Sequence, residues 1–192
     1  MVRSRSYDED EVLAQAMHAF RREGYAGISI PQLEAATGLS SGSIYNSFGD
    51  KRGIFFAAFE HYVQAVLEQR IAQYARPEDG LPGLRQLFLT LLREPDGRTF
   101  GCLITNSAIE FGADRKVMKS TVFRGFDILE RLFADRLAAA KSVGALRATI
   151  DPRAGAVRLL AFYQGVLVLI RAGYDLKKVR HAIHNEFNNL EG

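Results

Sequence analysis

Cysteine, tryptophan and long apolar runs are scarce in this chain. Its 192 residues include one cysteine, Cys102, and no tryptophan. A single cysteine excludes an internal disulfide framework and favours a reducing compartment, so we expect a cytoplasmic protein. The longest apolar run, residues 159–170, is interrupted by Gln164 and Gly165 and is shorter than the ~20 residues of a membrane span. We therefore expect no membrane segment, and "MVRSRSYDEDEV" at the start lacks the apolar stretch of a signal peptide.

Charge of one sign is not in large excess either. The net charge is +3, but the first 52 residues hold six basic and seven acidic residues and are net −1. Bulk charge therefore indicates no particular partner. Only the placement of individual residues can support binding to nucleic acid.

Apolar residues recur at helical spacing along most of the chain, and no stretch alternates long enough to predict a strand. We therefore predict an all-α protein. The first helix carries an apolar stripe from Val12 to Phe20, with Ser6 and Glu9 as a capping box at its start and Gly24 at its end. Further helices are predicted at residues 30–37, 41–48, 51–75, 82–93, 102–111, 115–142, 152–173 and 176–189.

The stretch "ATGLSSGSIYNSF", residues 36–48, predicts a tight turn between two short helices. Gly38 permits a left-handed end to the first helix, and Ser40 is the expected N-cap of the second. Leu39 and Ile44 then form a hydrophobic staple. Ile44 and Phe48 face inward at this spacing, which leaves an outward face of small and polar residues: Ser41, Gly42, Ser43, Tyr45 and Asn46.

Such a face suits the major groove of DNA, since small and amide side chains can reach base edges near a helix N-terminus. A serine-rich turn on an ordinary surface is the alternative. The neighbouring residues favour DNA: Arg3 and Arg5 form a basic arm, and the pair Lys51-Arg52 follows the second helix. The preceding helix starts either at a capping box, formed by Ser29 and Gln32, or at Pro31 itself.

The segments "VLAQAMHAFRREGYAGIS" and "LEAATGLSSGSIYNSFGDKRGIF", within residues 12–55, resemble the N-terminal signature of the TetR family of transcriptional regulators. The resemblance implies a helix-turn-helix DNA-binding domain at residues 1–50 and an effector-binding and dimerisation domain at 51–192. It also implies a homodimeric repressor of a palindromic double-stranded DNA operator, without enzymatic activity, cofactor or metal. A helical small-molecule carrier or interaction module without DNA binding remains the alternative.

By this resemblance Tyr45, Lys51 and Ser29 contact backbone phosphates, while Ser41, Ser43 and Asn46 lie nearest the bases. The full implied DNA-binding set is Ser29, Ser40, Ser41, Gly42, Ser43, Tyr45, Asn46, Ser47 and Lys51. Three positions depart from the family pattern: Ile28 stands where threonine is frequent, Glu34 where alanine is common, and Ser47 where a histidine usually joins the phosphate contacts. Ser47 can still donate a hydrogen bond, but with less reach.

The segment "GCLITNSAIEFG", residues 101–112, is similar to a Gly-Cys-Leu segment in one branch of these regulators. Cys102 opens a predicted helix, where the helix dipole lowers a thiol pKa. A reactive thiol and a small buried hydrophobe are both open interpretations of Cys102.

Two long helices in the C-terminal part predict a dimer. An apolar stripe begins at Val122, and the helix after Asp151 is apolar nearly all round, so we expect a second copy to cover part of it. A central core helix in a monomer is the alternative. The predicted interface is Val122, Phe126, Leu129, Phe133, Leu160, Gln164 and Leu167.

An effector cavity is expected among the middle helices, lined mainly by aromatic and apolar residues that suit a small apolar or aromatic ligand. Aromatic residues at helical spacing are more often core than pocket. The candidates are Phe59, Tyr62, Phe88, Leu92, Phe100, Cys102, Ile104, Asn106, Phe111, Phe123, Phe126 and Tyr163.

Enzymatic motifs are scarce as well. His181 and His184 have metal-ligand spacing near Glu186, but no third ligand follows at helical spacing. No glycine-rich phosphate loop and no nucleophile–base pattern is present. We therefore expect no enzyme and no metal site.

Overall fold

The computed structural model describes residues 7–93, 100–112 and 121–192. Every secondary-structure element within these ranges is helical. The elements are α1 Glu9–Glu23, α2 Ile30–Thr37, α3 Ser41–Phe48, α4 Lys51–His61, a π-helical segment Tyr62–Glu68, α5 Gln69–Tyr74, a 3-10 turn Pro77–Asp79, α6 Gly80–Thr90, α7 Leu103–Glu110, α8 Phe123–Ser142, α9 Pro152–Arg171 and α10 Leu176–Leu190. The all-α prediction is confirmed.

Helix boundaries follow the predictions where caps are local and depart from them elsewhere. The predicted ranges 30–37 and 41–48 match α2 and α3, whereas the predicted helix 51–75 contains a π-helical segment. Part of the predicted range 115–142 lies outside the described residues. The arm residues Arg3 and Arg5 lie outside them too.

The start of α1 needs a correction. Asp8, not Ser6, is the N-cap, because its carboxylate accepts hydrogen bonds from the backbone N–H groups of Asp10 and Glu11 at 3.0 and 3.3 Å. Ser6 itself lies outside the described residues. The predicted end is confirmed, since Gly24 is the C-cap and its N–H donates to the Phe20 carbonyl. The acidic first turn also suits the positive end of the helix dipole.

The chain divides into two compact units, Met1–Leu67 with Cys102–Val122 and Glu68–Gly101 with Phe123–Gly192. In the first unit Phe20, Leu33 and Ile44 are buried, so α1, α2 and α3 share one core. The Phe55 ring joins it from α4, 5.1 Å from Phe20, and the Phe111 ring lies 5.2 Å from Phe55. These contacts place α4 and α7 with the helix-turn-helix, whereas the predicted domain boundary lay at residue 50.

The second unit is built on a buried aromatic core. The Phe88 ring of α6 lies 5.7 Å from Phe133 of α8, 5.1 Å from Tyr163 of α9 and 5.3 Å from Phe187 of α10. Helices α8 and α9 approach closely at Gly155, where a Cβ would lie 2.9 Å from Leu137 Cδ1. One core therefore holds four helices together.

Helix α9 is a long, predominantly apolar helix of the second unit. It has 20 residues, and an 18-residue window of mean hydropathy 1.4 is 39% buried. By length and composition it could cross a membrane, a test that core helices of soluble proteins also pass. Its buried face carries Leu159, Tyr163 and Ile170, so this side belongs to the core of the second unit.

Gly53 supplies a testable prediction on the junction of α3 and α4. A Cβ at Gly53 would lie 1.8 Å from the Phe48 carbonyl oxygen, and a backbone atom cannot rotate away. We expect Gly53→Ala to lower the free energy of unfolding by about 1–3 kcal/mol, as overpacking does. Gly42→Ala is the matched control, because its Cβ would meet nothing closer than Ser40 Oγ at 3.9 Å. Chemical denaturation of both variants checks this, and equal stabilities would contradict it.

Candidate nucleic-acid interface

The turn between α2 and α3 has the predicted geometry. Gly38 is left-handed with φ +70°, and its N–H donates to the Glu34 carbonyl. Ser40 is the N-cap of α3, and its hydroxyl oxygen accepts a hydrogen bond from the Ser43 N–H at 3.2 Å. Leu39 and Ile44, the predicted staple pair, are both buried. The predictions for Gly38 and Ser40 are confirmed.

Helix α3 presents its polar residues outward. Ile44 is 0% exposed and anchors the helix, while Tyr45 is 49% exposed. Gly42 and Asn46 are exposed, and Ser41, Ser43 and Ser47 are half-buried. The sequence-predicted inward and outward faces therefore match the structure at Ile44 and Tyr45.

Glu34 has a role at the start of α3 that sequence reasoning missed. Its carboxylate accepts a hydrogen bond from the backbone N–H of Ser41. A negative charge at a helix N-terminus stabilises the helix through its dipole. The same charge opposes an approaching phosphate, so the N-terminus of α3 is less open to anions than the sequence suggested.

Ser29 caps α2 in the predicted manner. Its backbone N–H donates to Gln32 Oε1 at 2.8 Å, and its hydroxyl oxygen accepts from the Gln32 N–H at 3.4 Å. The capping box is complete, and the helix begins at Ile30 and not at Pro31. The Ser29 hydroxyl also donates to Gln32 Oε1 at 2.8 Å, so a phosphate contact from Ser29 competes with this bond.

Lys51 lies at the start of α4 over an aromatic ring. Its Nζ is 4.8 Å from the centroid of Tyr25, within reach of a cation–π contact. Burial, with a further contribution from the Asp50 carboxylate, raises the pKa of Tyr25, so the phenol remains neutral at physiological pH. The Asp50 side chain caps α4 by accepting from the Gly53 N–H at 2.7 Å. Tyr25 thus helps to hold the ammonium group beside α3.

Helix α7 binds the turn between α1 and α2. The Glu110 carboxylate accepts hydrogen bonds from the backbone N–H of Tyr25, at 2.8 Å, and from that of Ala26. Asn106 Nδ2 donates to the Arg21 carbonyl at 3.3 Å, and the Phe111 ring lies 4.9 Å from Tyr25. Two predicted effector-pocket residues, Asn106 and Phe111, are therefore engaged with α1 and the turn after it.

The other predicted pocket residues divide between the two units. Phe59, Tyr62, Cys102 and Ile104 belong to the first unit and are buried, and the Tyr62 hydroxyl donates to Cys102 Sγ at 3.1 Å. Cys102 is the N-cap residue of α7, so the prediction that it opens a helix is confirmed. The second unit contains Phe88, Leu92, Phe100, Phe123, Phe126 and Tyr163.

Among the described residues of the second unit, none of these predicted pocket residues lines the two cavities formed there by α8, α9 and the segment around Leu146. One, of about 430 Å³, lies between α8 and α9, and the other, of about 580 Å³, lies beside Leu146 and Gly192. Neither of these two cavities is therefore the predicted effector pocket.

The predicted dimer residues also need a correction. Val122, Leu129 and Phe133 are 0% exposed and Leu167 is 7% exposed, because all four pack inside the chain itself. Their side chains leave almost no surface for a second copy. Phe126, Leu160 and Gln164 are half-buried.

His181 and His184 have metal-ligand spacing near Glu186 in the sequence. Within the described ranges no group of three or more His, Cys, Asp or Glu side chains could hold a metal ion. Glu186 instead accepts a hydrogen bond from Arg158 Nε at 2.7 Å.

Comparisons with known proteins agree with this architecture. Residues 12–58 match the family model "Bacterial regulatory proteins, tetR family", and residues 80–185 match "Tetracyclin repressor-like, C-terminal domain". The uncharacterised HTH-type regulator YezE of Bacillus subtilis is 31% identical over 57% of this chain, a match that spans 58% of YezE. The HTH-type transcriptional repressor ComR of Escherichia coli is 24% identical, with 92% of this chain and 86% of ComR covered.

A solved structure adds a nucleic-acid complex. It contains the TetR family regulator CifR, a cysteine mutant, with 26-base-pair double-strand operator DNA. CifR is 25% identical to this chain, with a TM-score of 0.76 and coverage of 97% of this chain and 98% of CifR. Since the two family models together cover both parts of the chain, the protein belongs to the TetR family of DNA-binding transcriptional regulators, a non-enzymatic family.

Proposed function

We propose that this protein is a cytoplasmic, homodimeric repressor that binds a palindromic operator through α3 and leaves it when a small apolar or aromatic effector binds. The observation that carries the proposal is the polar, exposed face of α3 held rigidly by the buried Ile44. ComR, a repressor by name, and the operator complex of CifR support it.

The side chains of α3 and of the first residue of α4 suit two kinds of DNA contact. Tyr45 and Lys51 offer a hydroxyl and an ammonium group to backbone phosphates, which position a protein without reading sequence. Asn46 offers both an amide donor and an acceptor, a pattern that pairs with adenine in the major groove. Ser41 and Ser43 are short and allow α3 to approach the bases closely.

Helix α9 supplies the surface for a second copy. Val157, Ala161, Gly165 and Val168 follow one another at steps of four, four and three residues and are all exposed. Nothing lies within 4 Å of a Cβ placed on Gly165, so a partner helix can approach there. We propose this face as the dimer interface in place of the predicted residues that are buried within the chain.

The groove beside this face has mixed charge. The cavity between α8 and α9 is lined by Asp127 and Glu130 as well as by Arg131 and Arg153. In a twofold-symmetric dimer the same patch meets itself, so a surface with both signs can be complementary to its own copy. Dimerisation then sets two α3 helices about one DNA turn apart, as a palindrome requires.

Effector and operator are coupled through the dimer in this proposal. An effector that binds better to a dimer geometry with wrongly spaced α3 helices lowers operator affinity, and the operator lowers effector affinity by the same factor. The aromatic and apolar composition of the middle helices supports the effector class.

Tyr45 and Asn46 give the first test of this function. We expect Tyr45→Ala to weaken binding to every duplex, by about tenfold, because a phosphate contact carries no sequence information. Asn46→Ala should instead remove about 1–3 kcal/mol of discrimination at one base pair per half-site. Selection of bound duplexes from a random pool at near-physiological salt measures both effects.

The control for this selection is the unmodified protein in parallel. An equal loss on all sequences for Asn46→Ala would remove its assigned role. Failure of the folded, effector-free, dimeric protein to select any sequence would favour a helical carrier or interaction module.

Glu34 supplies a second test. Glu34→Gln keeps an acceptor for the Ser41 N–H but removes a negative charge near the phosphates, so we expect affinity for any duplex to rise by about threefold. Glu78→Gln, an exposed carboxylate of the second unit, is the matched control and should leave affinity unchanged. Fluorescence anisotropy with a labelled duplex measures this, and weaker binding by Glu34→Gln would contradict it.

The α9 face supplies a third test. Val168→Glu places a charge in the proposed interface twice per dimer, and we expect the dimer dissociation constant to rise on the order of 100-fold or more. Val143→Glu is the matched control, because Val143 is 78% exposed and lies outside that face. Analytical ultracentrifugation measures the association. A dimer unchanged by Val168→Glu would place the interface elsewhere.

A further inference from the structure

Tyr7 connects the segment before α1 to the end of α3. Its hydroxyl donates a hydrogen bond to Ser47 Oγ at 2.8 Å, across 40 positions of sequence. Both side chains are half-buried, and Tyr7 directly precedes Asp8, the N-cap of α1. The bond therefore holds the start of α1 against the last turn of α3.

This bond leaves the Ser47 hydroxyl as a donor. A serine hydroxyl has one proton, and in the Tyr7 pair its oxygen accepts while its own proton remains available. An accepted hydrogen bond also polarises a hydroxyl and strengthens the bond that it donates onward. The Ser47 hydroxyl is thus held in one orientation, and its own proton is available for a further hydrogen bond.

Ser47 also lies in a row of hydroxyl groups on α3. Ser40, Ser43 and Ser47 follow at steps of three and four residues, so they share one side of the helix. At the start of the row, Ser40 Oγ and Ser43 Oγ lie 3.0 Å apart and bond to each other. At its end, Ser47 accepts a hydrogen bond from Tyr7 in the segment before α1. The neighbouring Tyr45 and Asn46 are exposed.

We propose that Tyr7 is a positioning residue for DNA binding, which fixes the Ser47 hydroxyl so that it donates to a backbone phosphate oxygen of the operator. The inference rests on the proposed role of α3 in DNA binding. Nothing about a phosphate oxygen depends on base sequence, so Tyr7 contributes equally on specific and random duplexes. A neutral hydroxyl displaces no counterion, so the salt dependence of binding stays unchanged when it is removed.

The test is a double-mutant cycle with Tyr7→Phe, Ser47→Ala and the variant that combines them. We expect Tyr7→Phe to weaken binding about fivefold and Ser47→Ala about tenfold, on selected and random duplexes alike. The combined variant should bind like Ser47→Ala, because Tyr7 acts only through Ser47. Ser47→Thr keeps a hydroxyl group and should keep the Tyr7→Phe effect.

Two controls separate positioning from folding and from charge. Tyr174→Phe removes a phenol hydroxyl from a tyrosine that is 48% exposed in the second unit, and it should leave affinity unchanged. Lys51→Ala should reduce the slope of log affinity against log salt by about 0.9, whereas Tyr7→Phe should not change it. Thermal unfolding of each variant shows whether the fold is intact.

Two results would overturn the inference. Tyr7→Phe binding within twofold of the unmodified protein would remove the role of Tyr7, and additive losses in the cycle would show that Tyr7 does not act through Ser47. Tyr45→Ala is measured beside them. If it too leaves DNA binding unchanged, the assignment of α3 fails, and the role of Tyr7 fails with it.

Discussion

The aromatic cluster around Phe55 is the contact on which the DNA-binding part depends. The centroid of the Phe55 ring lies 5.1 Å from that of Phe20 and 5.2 Å from those of Tyr25 and Phe111. These rings come from α1, the turn after it, α4 and the end of α7. Each aromatic pair adds about 0.5–1.5 kcal/mol beyond the burial of its area. The cluster therefore packs α4 against α1 and α7, and Gly53 brings the first turn of α4 close to the Phe48 carbonyl at the end of α3.

Helix α3 is stabilised chiefly by its neighbours. Eight residues are too few for a stable isolated helix in water, so the buried Ile44, the Ser40 cap and the Glu34 contact must hold it. The Glu34 contact has opposing effects, because it stabilises the helix and places a negative charge where phosphates would approach. The same Glu34 carboxylate thus stabilises the folded α3 and, in the proposed DNA complex, repels phosphate.

The sequence predicted features that depend on contiguous residues. The caps at Ser29, Gly38 and Ser40 use partners only three or four positions away, and the structure has each of them. The start of α1 was assigned to Ser6 because Ser6 and Glu9 match a capping box, but the N-cap is Asp8. The family signature likewise lies in one short segment, where its register can be checked residue by residue.

Features that depend on distant residues could not be predicted in this way. The Glu110 and Tyr7 contacts join residues 85 and 40 positions apart, and no periodicity encodes them. Helical periodicity also predicted apolar stripes on α8 and α9. It could not show which of their apolar residues pack into the core and which remain exposed. Leu129 and Phe133 were therefore assigned to an interface although they are enclosed, whereas Val157 and Val168 on α9 are exposed. The boundary at residue 50 differs from the observed units because Phe111 packs on Phe55.

The bond between Glu110 and the turn after α1 has a consequence for sequence variation. The donors are the backbone N–H groups of Tyr25 and Ala26, which every amino acid except proline carries. The acceptor is a carboxylate that only an acidic residue of the right length can supply. Among related chains any residue except proline at position 26 can therefore keep this contact, whereas position 110, at the end of α7, must keep an acidic residue.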